Sequence, residues 1–322
     1  MGQKAQNTQA LLGTSHVWSI GVHAAIFLLP QKNSRLAVAA GREGKSSVQS
    51  MFLSVHVTRI NRKSLACVLA VVGLFFLAAE AAVSSTSSDA ELAAITERGV
   101  LLAEYDTAAW QATDAVKTAH PVEGRVGRYI ARKTEAGWVV DFGRLDKTEI
   151  KFLVAYEAVQ VASPARFEVR GFDPTREDTG WNLGAAKGIE TAMRDFGRAS
   201  RPYNIAVLPA EHESMYVYLY PAQVKAGVYP LGADVRYRVS RDGAKILEKR
   251  QMHKTIIESI PASAPGTLAG GYHTHVLSNL PEDTDVLLVL TRRPRVPEMV
   301  DAGTHMFTID VNGKITVEDR PR

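Results

Sequence analysis

Cysteine is all but absent. The 322-residue chain carries one, Cys67, and it lies inside an apolar run that reads as leader and not as folded product. Disulfides, thiol catalysis and Cys-ligated zinc are thereby excluded from the folded part. The G-x-S-x-G turn of serine hydrolases is missing too. The nearest approach to a phosphate loop, GREGKSS around Gly44, has the wrong spacing and stands ahead of the expected export signal. Serine-hydrolase and nucleotide-dependent chemistry are therefore set aside. An excess of basic charge is also lacking once the leader is removed. Residues 1 to 81 hold eight of the 38 Lys and Arg but two of the 34 Asp and Glu, which leaves 30 basic and 32 acidic residues beyond them. No basic patch is left to bind nucleic acid.

What the N-terminal region does contain is an address. Arg59, Arg62 and Lys63 precede Ser64–Ala79, an uncharged apolar run too short for a comfortable membrane span. Ala79-Glu80-Ala81 then supplies the small-x-small pattern of a cleavage site. This predicts a signal peptide over 51–81, Met51 as the initiator, and a non-native or disordered extension over 1–50. The expected destination is the periplasm or the exterior. The alternative is an inner-membrane anchor formed by an uncleaved 64–83.

Beyond the leader, 82–163 reads as one helix plus strands and 164–322 as a helix plus antiparallel sheet, the two forming one continuous domain. Val83–Ser88 reads as a mobile Ser/Thr-rich tether. Ser88 and Glu91 fit a capping box, which predicts an amphipathic helix to about Val116. A hairpin turns at 134–137, and strands follow over 152–160 and 167–172 before Pro174 opens a polar turn. A second helix, capped by Asp178 or Thr179, is expected from Trp181 to Arg198, with Leu183, Ile189, Met193 and Phe196 as its buried stripe. Its glycines at 180, 184 and 188 make a smooth strip for close packing. Strand after strand then follows, including Lys245–Glu258, Tyr272–Leu277 and Val286–Thr291. Asp242-Gly243 and Asn312-Gly313 supply tight hairpin turns. The expected fold is α+β, with two helices on one face of a large, mainly antiparallel sheet.

Chemistry concentrates in Gly270–Leu290, GGYHTHVLSNLPEDTDVLLVL. Strand alternation places His273 and His275 on one face, and two imidazoles so placed can share a metal ion such as zinc. A third ligand would come from Asp285 or Glu282, or from His253 or His305 on strands that could be neighbours. With an open fourth position such a site could activate water. The bland alternative is a pair of histidines at the wet end of a strand, bonded to the acidic turn. Residues 281–285 lack the glycine and spacing of a calcium loop and read as a solvated turn. Arg292, Arg293 and Arg295 read as a cluster guarding the end of a strand. Tyr216, Tyr218 and Tyr220 align on one strand face, either as a ligand platform or as a half-buried sheet face.

The stretch YHTH with the later Asp285 resembles the JAMM metalloprotease motif, in which His-x-His is followed by Ser-x-x-Asp and preceded by a glutamate. The resemblance implies a zinc hydrolase with His273, His275 and Asp285 as ligands and Glu248 or Glu258 as general base. The chain departs from that motif at Val276, where proline is usual, and at Glu282, where serine is usual. Its loop is one residue shorter, and Val286–Leu290 reads as strand where the family has helix. More broadly, the tail from Tyr220 through HTHVLSNLPEDTDV resembles a group of exported bacterial proteins, which implies an export route and no activity. The expectation is accordingly an exported α+β module that binds an envelope protein or a small ligand and needs no cofactor. The metal-dependent hydrolase is the alternative.

Overall fold

The computed structural model describes residues 62–162, 166–259 and 269–318, with side chains from Ser88 onward. The expected extension over 1–50 and the start of the expected signal lie outside the described residues. Among the residues whose side chains are described, no helix is long and apolar enough to cross a membrane. The described residues from Ala94 form one compact unit, and the preceding stretch belongs to a second.

Helix α1 runs Arg62–Thr118. The Ser/Thr-rich stretch over 83–88, expected as a tether, lies inside it, because the sequence offers no proline to stop the helix. Then come β1 (Arg128–Thr134), β2 (Gly137–Leu145), β3 (Phe152–Ala162) and β4 (Arg166–Asp178), an antiparallel meander in that order. Pro174 does not end β4, which continues to Asp178 and pairs there with Phe152. Helix α2 (Trp181–Phe196) has Gly180 at its N-cap without a side-chain cap; Asp178 accepts the Gly180 N–H instead. Next are β5 (Tyr203–Ala210), β6 (Ser214–Pro221), β7 (Tyr229–Gly232), β8 (Val235–Ser240), β9 (Ile246–Gln251) and β10 (Ile256–Ser259). These form a four-stranded sheet ordered β5-β6-β8-β9 and a small β10-β7 pair. The chain ends with β11 (Gly271–Thr274), α3 (Asp283–Thr291), β12 (Glu298–Ala302), β13 (His305–Ile309) and β14 (Ile315–Glu318). In this last sheet β11 and β12 are parallel and the other pairs antiparallel.

The class is α+β with mostly antiparallel sheets. Three details differ from expectation. The strands divide among four sheets instead of one. The helices do not share a face, because β6 is buried along its whole length. Its Tyr216, Tyr218 and Tyr220 join the core under α1, with Leu102, Tyr105 and Ala112. Its Met215, Val217 and Leu219 join the core under α2, with Ala185, Ile189 and Ala192. Period-two alternation sends the two sets to opposite sides, so the tyrosines are core and not a platform.

Third, Val286–Thr291 is helix. An unalternating apolar run reads as a buried strand or a buried helix alike. What decides is the reciprocal capping box between Glu282 and Asp285 at its start. The glycine strip of α2 works as expected at two positions. A Cβ on Gly184 would overlap the carbonyl of Arg241, and one on Gly188 would press on Val239.

Candidate metal centre

The expected long strand Lys245–Glu258 breaks after Gln251, and His253 sits buried in the break between β9 and β10. His273 lies on β11 and His275 just beyond its end, both buried, while Tyr272, Thr274 and Val276 point outward. The third partner is the first turn of α3. Asp285 is fully buried there, and one of its oxygens accepts the Glu282 N–H at 2.7 Å.

These four side chains converge, with one ligand atom from each lying within 4.8 Å of all the others. His253 Nε2 and His275 Nε2 are 2.9 Å apart, and His273 Nε2 and His275 Nε2 are 3.1 Å apart. Each of the three Nε2 atoms lies 3.1 Å from a carboxylate oxygen of Asp285. A tetrahedral ion with bonds of about 2.0–2.1 Å would separate its ligand atoms by roughly 3.3–3.4 Å. The His253–His275 and His273–His275 pairs stand within about half an ångström of that spacing, and Asp285 reaches His253 and His273 through Oδ1 and His275 through Oδ2.

The opposite ring nitrogens explain why the rings hold this orientation. His253 Nδ1 donates to Asp234 at 2.8 Å, His273 Nδ1 to Glu298 at 2.8 Å, and His275 Nδ1 to the Leu280 carbonyl at 2.9 Å. All three acceptors lack a proton to give, so each Nδ1 carries the hydrogen and each neutral Nε2 presents a lone pair. Three lone pairs and a carboxylate then face one another in a buried space, which is unfavourable unless a cation or protons stand between them. A buried group of His253, His273, His275 and Asp285 can thus hold a metal ion.

In the metal-free protein protons take that place. Burial opposes charge on His253, but Asp285 and Asp234 outweigh it and push its pKa up to about 11. Burial likewise opposes charge on His273, and Asp285 and Glu298 push it up to about 9. Burial would raise Asp285, yet the facing imidazoles of His253 and His275 hold it well below the usual carboxylate range.

The acidic turn is not solvated, contrary to expectation. Glu282 is buried against Arg250, with contacts of 2.8 and 3.0 Å. Asp283 receives Arg98 at 3.0 Å, Arg236 at 2.7 Å and the Tyr218 hydroxyl at 2.9 Å. Three neighbouring carboxylates therefore serve three purposes: the helix cap and Arg250, the core, and the histidines. Arg292 closes the other end of α3. It pairs with Glu298 at 2.6 Å and donates to the carbonyls of Val296 and Pro297, so it braces the centre and does not guard a strand. Arg293 and Arg295 are exposed.

The remaining candidates fall elsewhere. Glu248 pairs with Arg238 and Glu258 with Arg201, each exposed, and neither joins the converging group. His305 is exposed beside Phe307. Sequence reasoning did not single out Asp234 or Glu298. They stand 19 and 25 residues from the histidines they orient, and only the strand pairing brings them there. Glu298 faces Gly271 across the parallel pair, and a Cβ on Gly271 would overlap its carboxylate.

The chain was compared with protein-family models, curated proteins and solved structures, and none of the three matched.

Proposed function

We propose that the chain is a metal-binding α+β module of the cell envelope, in which one zinc ion held by His253, His273, His275 and Asp285 locks the C-terminal half. The carrying observation is the fourth ligand. Sequence reasoning left that position open for water, whereas His253 fills it with a buried imidazole. A site whose four positions are all protein side chains has the character of a structural centre, since a catalytic one keeps a position for substrate or water. The set of three imidazoles with one carboxylate suits zinc better than calcium or magnesium, which want oxygen ligands. An exported module with a fixed shape suits binding of an envelope partner or small ligand, and the leader composition supports the export route.

A second reading has one observation in its favour. The helix directly after Asp285 removes one departure from the JAMM pattern, so a zinc hydrolase remains the alternative. In that case His253 would have to yield its place to water. The exposed, arginine-paired positions of Glu248 and Glu258 supply no general base for it.

Elemental analysis of the chain, purified without chelator or a metal-binding tag, tests the proposal. About one zinc per chain is expected in the native protein, with none in the His273→Ala, His275→Ala double variant. A metal-free native protein of equal stability would overturn it.

A further inference from the structure

The metal group leaves a second feature unused. β1 and β5 are the end strands of two different four-stranded sheets, and their free edges face each other. Near Ala131 the seam is closed by the Tyr105 hydroxyl, which accepts the Ala131 N–H at 3.2 Å, and by the Tyr129 hydroxyl, which lies 3.5 Å from the Ile205 carbonyl oxygen. Further along it opens into a cavity of about 710 Å³. Leu101, Trp138, Trp181, Val207, Leu208 and Pro209 supply the apolar walls, and Arg132, Lys133 and Glu135 stand at the exposed rim. This size, and this mixture of apolar wall with few polar groups, is typical of small-molecule sites.

The rim charges indicate the head group. Lys133 is paired with Glu104. Arg132 reaches Asp141 at only 3.8 Å, and that carboxylate is already served by Arg176 at 2.7 Å and Asn182 at 2.7 Å. Arg132 is therefore the cation with capacity left for a ligand. In the same wall the shielded indole N–H of Trp181 meets no acceptor among the described residues. An added peptide strand is disfavoured, because Pro209 has no N–H to offer and charged side chains line the β1 edge, two devices that discourage edge pairing.

We propose that this cavity binds a small amphipathic carboxylate, with its apolar body between Trp138 and Leu208 and its carboxylate at Arg132. The site is independent of the metal. The test is calorimetric titration of the full chain with dodecanoate below its micelle concentration, and with the uncharged dodecanol. The native chain should take up one dodecanoate saturably and bind dodecanol at least tenfold more weakly. Arg132→Ala should abolish that preference, Arg132→Lys should keep it, and Leu101→Trp, which fills the cavity, should abolish binding of both. The proposal is overturned if the native chain shows no saturable binding. It is equally overturned if Arg132→Ala and Leu101→Trp, folded by circular dichroism, bind as the native chain does.

Discussion

In the proposed account Asp234 and Glu298 would set how tightly the centre holds zinc, although neither is a ligand. Each takes an Nδ1 hydrogen and so turns the lone pair of the opposite nitrogen toward the other three side chains of the group. Glu298→Gln and Asp234→Asn should each weaken zinc affinity about 10- to 100-fold, measured by competition with a chelating dye, while one zinc per chain is still bound at saturation. Unchanged affinity in both would mean that the rings are held by packing alone. Protonation supplies a second check at this scale. His253 and His273 have pKa values raised above 6.5 in the metal-free fold. Their contribution to stability is thus complete below 6.5 and is lost as pH rises through about 9 and then about 11. Zinc competes with those same protons, so its stabilising effect should grow over that interval. Thermal melts with chelator should fall across this range while the increment given by zinc increases; a pH-independent increment would contradict the arrangement. His273, His275 and Asp285 were legible because strand alternation and a short loop restrict them to one neighbourhood. His253 was mentioned only as a neighbour, since nothing local marks a break in the strand at that point.

At the scale of elements, α3 is where local pattern and outcome part. VLLVL carries no periodicity, because α3 is buried nearly all round, and the helical signal lies in two acidic residues three apart, which also read as a turn. Gly184 and Gly188 were read correctly because a strip of small residues has one plain structural use, whereas Gly180 is the N-cap of α2 and packs closely on nothing. Gly184→Ala forces the new methyl into the carbonyl of Arg241 and should cost about 1–3 kcal/mol by overpacking. Gly197→Ala, just past the end of α2 and with open space around it, adds no clash, yet its φ of 78° with ψ of −150° is a conformation nearly reserved for glycine and should still cost about 1–3 kcal/mol. Urea denaturation of the two variants separates packing from backbone conformation. A Gly184→Ala variant as stable as the native chain would argue against the tight approach of α2 to the turn after β8.

For the whole molecule, the hairpins and the α+β class were legible, whereas the division into four sheets was not. It depends on which strands pair across long separations, as in the parallel β11–β12 contact that encloses α3. The proposed ion would join three such distant pieces: the β9–β10 break, β11, and the start of α3. Removing it should loosen that half more than the α1 and α2 cores, which rest on apolar packing. Hydrogen exchange with and without chelator should show faster exchange over 252–258, 271–276 and 282–291, with little change over 203–221. Uniform change would point to global unfolding instead.

The central claim is that four protein side chains complete the coordination of one zinc ion. Zinc-edge X-ray absorption on the native chain tests it most directly. The account predicts four nitrogen or oxygen neighbours at about 2.0–2.1 Å, with the outer-shell scattering of three imidazoles. Two imidazoles with additional water oxygens would contradict it, and would return the site to the hydrolase reading.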